Sequence, residues 1–296
     1  MSDQKLAVAA LRWYDEHARD LPWRKPDVSP WGILVSEVML QQTPVVRVLP
    51  VWQAWLERWP VPAALAEETP AAAIRMWGRL GYPRRALRLH ACAVAVVERH
   101  GHRVPSALTE LLSLPGVGSY TARAVAAFAY GQRHPVVDTN VRRFIARTVG
   151  GTADGGPATR PADLVAVEKL LPADPAIAAR VSAAFMELGA LVCTARAPRC
   201  GHCPLASRCA WRTSGRPTPV GPSRRAQRYV GTDRQVRGML LAVLRETSGP
   251  VHRERLDRVW PDPVQRARAL AGLVDDGLVT IVGDVYALAG EAPLEQ

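Results

Sequence analysis

Four cysteines crowd into 17 residues, spaced Cys193-x6-Cys200-x2-Cys203-x5-Cys209. Four thiolates this close can surround one metal centre, and zinc and iron–sulfur clusters both accept four cysteine ligands. The spacing alone leaves the metal open, and His202 is available to zinc in place of one cysteine. Disulfides are disfavoured in a reducing cytosol. The total of five cysteines also argues against a secreted disulfide framework. Cys92 stands apart in an apolar helical stretch and reads as a small buried hydrophobe.

Two carboxylates sit in contrasting company. Glu37 lies in Ile33-Leu-Val-Ser-Glu-Val-Met-Leu40. A glutamate among aliphatic residues on a helix should resist ionisation, unless it faces solvent. Asp138 ends the apolar run Pro135-Val-Val and precedes Thr139-Asn-Val-Arg-Arg. That places it at a helix N-cap, where N–H donors and the helix dipole favour the ionised form. Breaking a glycosidic bond wants this contrast of one protonated acid and one charged carboxylate. Leu114-Pro-Gly-Val-Gly-Ser-Tyr120 adds a third feature. Its glycines let the backbone turn sharply, and the helix that follows offers its N-terminus to a phosphate. A plain helix–helix turn has the same local signature.

The elements that hold these residues are mostly helices. Leu6, Ala9, Ala10, Trp13 and Tyr14 recur at helical spacing. Prolines and glycines then break residues 20–130 into short segments. Helical patterns cover Ala107–Leu112, Thr121–Tyr130, Ala162–Leu171 and Ala176–Val192. Residues 215–228 form a basic linker. Beyond it, Asp233–Glu246 reads as an amphipathic helix with Val236, Met239, Leu240, Val243 and Leu244 on its apolar side. Arg253–Val259 and Val264–Asp275 give two more helices, and residues 278–288 a hairpin turning at Gly283-Asp284. Three helices and a hairpin suggest a winged helix.

The chain of 296 residues is 48% apolar and carries a net charge of +11, with a pI near 10.1. It holds no apolar run of 18 residues and no secretory signal, so a cytoplasmic, nucleoid-associated protein is expected, without membrane partners. The basic balance puts nucleic acid first among partners, although an Ala- and Arg-rich genome would leave the same mark. Lys5, Lys25 and Lys169 are the only lysines.

The cysteine spacing, after a helix ending Glu187-Leu-Gly-Ala-Leu-Val192, resembles the cluster loop of the endonuclease III and MutY branch of the helix-hairpin-helix DNA glycosylases. Leu-Pro-Gly-Val-Gly resembles that branch's hairpin, and Ser36-Glu-Val-Met-Leu-Gln-Gln-Thr43 the MutY motif around its catalytic glutamate. The resemblance spans about residues 5–212. It implies an all-α, two-lobed fold with an iron–sulfur cluster loop, followed here by the small winged-helix-like module. The expected domains are a glycosylase core over 1–214, the linker at 215–228 and the module at 229–296. Within the core, 20–132 would form a six-helix lobe with the hairpin at 107–127. Residues 1–19 and 133–214 would form the iron–sulfur lobe.

The resemblance also implies roles. Cys193, Cys200, Cys203 and Cys209 would hold a [4Fe–4S] cluster. Glu37 would protonate the purine at N7 and later help activate water. Asp138 would stabilise the oxocarbenium-like sugar, with Asn140 in support. Tyr120 stands where the bifunctional enzymes carry a Schiff-base lysine, and no lysine lies near any motif. The chain is therefore expected to be a monofunctional glycosylase, acting as a monomer on duplex DNA with adenine opposite 8-oxoguanine or guanine. Gln41, Gln42 and Tyr82 resemble the residues that wedge into the duplex. Trp23 and Arg24, with Arg19 just before, resemble the base-pocket segment. Gly116, Val117 and Gly118 would meet the DNA backbone. Arg84, Arg85, Arg88, Arg142, Arg143 and Arg147 are candidate phosphate contacts.

Two departures stand out. Several MutY proteins carry Glu or Gln where this chain has Ala183, and the Nudix-like domain usual in MutY enzymes is replaced by about 70 residues of different pattern. Two other readings compete: a glycosylase for mispaired thymine or a deaminated base, and a non-catalytic iron–sulfur DNA-binding regulator.

Overall fold

The computed structural model describes residues 3–156, 158–218 and 229–291. In chain order its helices are α1 (Asp3–His17), α2 (Pro30–Leu40), α3 (Val45–Arg58), α4 (Pro62–Ala66), α5 (Pro70–Trp77), α6 (Arg84–Arg99), α7 (Leu108–Leu112) and α8 (Ser119–Tyr130). There follow α9 (Thr139–Thr148), α10 (Pro161–Leu170), α11 (Pro175–Leu191), α12 (Ala210–Thr213), α13 (Asp233–Glu246), α14 (Arg253–Asp257) and α15 (Pro263–Asp275). Strands β1 (Val251–His252), β2 (Val279–Val282) and β3 (Val285–Leu288) complete it. Among the described residues no helix is long and apolar enough to cross a membrane.

The chain packs as two units with limits unlike the expected lobes. One gathers residues 1–34, 106–112 and 117–223, and the other gathers 35–105, 113–116 and 224–296. The first division falls inside α2, a helix buried almost all round. The expected lobe over 20–132 is thus shared between the units, and the C-terminal module packs with 35–105 instead of standing alone. Linker residues 219–228 and module residues 292–296 lie outside the described residues.

The first unit is built on α1, α9, α10 and α11. Leu6, Ala10 and Trp13 bury their stripe against Val141, Phe144, Phe185 and Leu188. Phe144 and Phe185 meet with ring centroids 5.6 Å apart. Helices α9 and α11 approach closely at Gly189, where a Cβ would lie 2.6 Å from the Asn140 carbonyl oxygen. No other residue type fits there without moving α9.

The second unit has a tryptophan core. Trp55 meets Trp59 and Trp77 edge-on, with centroids 4.7 and 5.9 Å apart. Such T-shaped pairs suit the ring quadrupole. Cys92 is fully buried on α6, as expected. The module's order α13-β1-α14-α15-β2-β3, with sheet order β1-β3-β2, is that of a winged helix. Strand β1 was not expected, since two residues after Gly249-Pro250 are too few to show alternation. Helix α13 buries Val236, Leu240, Leu241 and Leu244, and Met239 is exposed instead.

Candidate active site and metal centre

Asp138 is the N-cap of α9, as its position predicts. Its Oδ1 accepts from the Val141 N–H at 2.7 Å. Asn140 Nδ2 donates to Oδ2 at 2.8 Å. Burial raises the Asp138 pKa above the ordinary aspartate value, against the pull of these bonds and of Arg143. The expectation of a carboxylate eased toward ionisation by its cap is corrected in sign, because desolvation outweighs the donors.

Arg143 links this carboxylate to the cysteine loop. Its Nη2 donates to Asn140 Oδ1 at 2.9 Å and to the Gly189 carbonyl at 2.6 Å, and its Nε donates to the Cys193 carbonyl at 2.7 Å. Arg147 is only 4% exposed, so it cannot reach a phosphate. It lies over the Trp211 ring, donates to the carbonyls of Ala153, Thr194 and Ala195, and reaches Cys193 Sγ at 3.5 Å. Arg142 is likewise buried, with Thr159 as partner. Of the three α9 arginines expected on phosphate, two thus serve the fold, and the third ties α9 to the loop.

All four cysteines line one pocket, together with Val192 and Trp211. Among the described residues no three His, Cys, Asp or Glu side chains close on a single ion. The sulfurs surround a space instead. Four soft sulfur donors, with a guanidinium beside one of them, fit an iron–sulfur group. Burial pushes the Cys203 thiol up to about 11, so bound cations are needed to hold it as thiolate near neutral pH. The purified protein should therefore be brown, with iron and acid-labile sulfide in equal amounts. A colourless, folded protein with one zinc per chain would overturn this.

Trp23 is buried in the short turn Pro22–Arg24. Arg19 and Arg24, expected at a base, both grip Glu187 on α11. Arg19 Nε and Nη2 reach its carboxylate oxygens at 2.6 and 2.8 Å, and Arg24 Nη2 reaches Oε2 at 2.7 Å. Glu187 is fully buried. The two guanidiniums, working against its desolvation, hold its pKa down at about 2. Arg24 Nη1 is buried with no partner. Half-buried Ala183 and Met186 sit on the same stretch of α11. Tyr120, on the first turn of α8, packs beside Ala124, Ala127 and Val136. Gly118 N-caps α8 without a side-chain cap, and buried Val117 precedes it.

In the second unit Glu37 is 6% exposed on α2, which settles its face in favour of the apolar side. Gln41 and Gln42 follow that helix, and Gln42 adopts φ 55°. Tyr82 adopts φ 47° and is half exposed. Left-handed backbone at a residue with a side chain costs roughly 1–3 kcal/mol and persists only where neighbours over-determine it. Arg85 is such a neighbour. Expected on phosphate, it is instead 7% exposed. Its Nη1 donates to the carbonyls of Val38, Met39 and Gln41 at 2.8, 3.1 and 2.6 Å. Its Nη2 donates to Thr43 Oγ1 at 2.9 Å and the Gly81 carbonyl at 3.1 Å. One guanidinium thus ends the Glu37 helix and ties it to the Tyr82 turn. Burial lowers its pKa to about 10, still well above neutrality. Gly116 of the hairpin adopts φ 78°, and a Cβ there would strike Arg88 at 2.7 Å.

Sequence reasoning gave Arg85 and Arg143 to phosphate rather than to the carbonyls they hold, and gave Glu187 no role. Two of them lie on buried stripes that the helical period could have reached. Arg85 is one turn before Leu89, and Glu187 is three residues after Ala184.

Residues 35–165 match the HhH-GPD superfamily of base excision DNA repair proteins, and residues 193–209 match the iron–sulfur binding domain of endonuclease III. The "Adenine DNA glycosylase" of Mycolicibacterium smegmatis is 59% identical over 286 residues, which is 96% of both chains. The chain belongs to the adenine DNA glycosylase family. Its Mycobacterium tuberculosis relative is 58% identical over 283 residues, covering 95% of this chain and 92% of its own. At such coverage the similarity runs on into the C-terminal module, so this family includes members with that module. A thermostable thymine-DNA glycosylase structure superposes with a TM-score of 0.65 at 26% identity, over 72% of this chain and 97% of its own. Endonuclease III trapped on DNA shares the fold, with a TM-score of 0.61 at 20% identity, over 73% of this chain and 99% of its own.

Proposed function

We propose that this adenine DNA glycosylase family member hydrolyses the N-glycosidic bond of adenine mispaired with 8-oxoguanine or guanine, and leaves an abasic site. The observation that carries the chemistry is a pair of buried carboxylates: Glu37 inside an apolar helix and Asp138 on a hydrogen-bonded cap. The relatives' names supply the base. Glu37 delivers a proton to adenine N7 and makes the base a better leaving group. Asp138, held by Asn140, faces the cationic sugar as the bond breaks. Glu37 then draws a proton from the attacking water. Trp23 lines the base pocket, and Arg19 and Arg24 shape it through Glu187. Gln41, Gln42 and Tyr82 fill the gap left by the flipped base. Gly116, Val117 and Gly118 present backbone N–H groups to a phosphate. A [4Fe–4S] cluster on Cys193, Cys200, Cys203 and Cys209 would supply a cross-link holding the loop beside α9, and no step on the base.

The protein acts as a monomer on nucleoid DNA in the cytoplasm in this reading. It lacks lyase chemistry, because Tyr120 offers no amine to attack the sugar C1′. A panel of mispaired duplexes tests both points. Adenine should be released opposite 8-oxoguanine and guanine, with the strand intact until alkali is added and no adduct trapped by borohydride. A strong borohydride adduct, or release of thymine in preference to adenine, would refute the reading. The thymine alternative draws on one observation, that Ala183 offers adenine no hydrogen bond. The regulator alternative requires no release of any base.

A further inference from the structure

The winged-helix module has the wrong charge for a duplex reader. Residues 229–296 hold eight arginines and no lysine against ten aspartates and glutamates, a net of −2. Residues 1–228 therefore carry +13, which the module's −2 reduces to the total of +11. A winged helix that binds DNA turns cations on its recognition helix and wing toward phosphates. Here Arg268 of α15 pairs with Asp233 at 2.6 Å, Arg266 pairs with Asp257 at 2.9 Å, and Arg237 pairs with Asp276. The wing hairpin exposes Ile281 and Val282.

The same module grips the segment from α5 to the start of α6, within one packing unit. Arg75 of α5 donates to the carbonyls of Leu244 and Arg245 at 2.9 and 2.7 Å, which close the last turn of α13. Arg245 reaches back and donates to the Gly78 carbonyl. Asp276, already paired with Arg237, pairs with Arg84 at 3.1 Å. Gly78 and Arg84 bracket Tyr82. The two contacts thus clamp both ends of the turn that holds a left-handed tyrosine.

We propose that the C-terminal module is a brace that fixes the Tyr82 turn, and so a positioning element of the glycosylase and not a DNA-reading domain. The clamp stands on the contacts alone. Its consequence for excision rests on the wedge role proposed for Tyr82.

The test uses the full chain with Arg245→Met and Asp276→Asn combined. Amide hydrogen exchange over residues 78–84 should accelerate by about tenfold or more, with α8 and α11 unchanged. Single-turnover excision should slow about tenfold with duplex affinity nearly kept, the mark of lost preorganisation. Arg245→Lys keeps one donor and should restore most of the protection. Unchanged exchange at 78–84 would overturn the brace. So would a loss of duplex affinity with a flatter salt dependence on replacing exposed Arg255 and Arg258 by alanine, which is the signature of phosphate contacts. If the double variant loosens α13 and α15 throughout, Arg245→Gln and Asp276→Asn taken singly must still show the local acceleration, or the proposal fails. Tyr82→Ala with full excision would end the wedge role and leave the exchange result to decide the brace.

Discussion

Glu37→Gln should lower base excision by at least about 10²-fold, the low end for general acid–base catalysis, while duplex binding survives. The amide keeps the shape of the side chain and cannot deliver a proton. In barrier terms that is about 2.7 kcal/mol or more. The effect should appear in the single-turnover rate on an adenine mispair, with the dissociation constant for the same duplex little changed. Loss of binding together with rate would point to a structural part, since Glu37 is buried on a helix whose end is held by Arg85. Excision at the parent rate would remove Glu37 from the chemistry and favour the regulator reading.

The largest stability effect is expected at Glu187. Replacing it by alanine strands Arg19 and Arg24 without a counter-charge, and should cost about 3–5 kcal/mol, as for other broken buried pairs. The pH dependence has a definite sign. The folded pKa is about 2 and the reference value is 4.5, so the carboxylate's contribution is complete above the ordinary carboxylate range. It is lost as pH falls from about 4.5 toward about 2, and amounts to about 3 kcal/mol at 1.36 kcal/mol per unit. Glu187→Gln imitates the protonated form. Urea unfolding should show a wide gap between parent and Glu187→Gln at pH 7, narrowing steadily below pH 4. Equal midpoints at pH 7 would show that the pair is energetically idle.

The cysteine loop and the settings of both carboxylates, a buried helix face for Glu37 and an N-cap for Asp138, were legible because they depend on near neighbours. The cysteine spacing, the apolar helix around Glu37 and the cap position of Asp138 are each set by residues close by in sequence. The arginines were not legible in the same way. Arg85, Arg142 and Arg147 look like surface cations in a basic chain, and only packing shows that all three are buried, with the guanidiniums of Arg85 and Arg147 closing carbonyl-lined corners. Glu187 finds Arg19 across 168 residues. The packing of the C-terminal segment was not legible for a related reason. Residues 229–291 follow a linker-like stretch in sequence, yet their packing partners come from 35–105, and no local pattern marks such a pairing.

That pairing sets an order of events in synthesis. The bonds from Arg75 to Leu244 and Arg245 span 169 and 170 residues. Domains emerge from the ribosome N-terminal part first, at about 5–20 residues per second. The Tyr82 turn is translated roughly ten seconds or more before Arg245 and Asp276 exist to hold it, by that rate. A nascent chain stalled before α13 has residues 78–84 but neither the Arg245 bond to Gly78 nor the Asp276 pair with Arg84, so this turn is the last part of its unit to be secured.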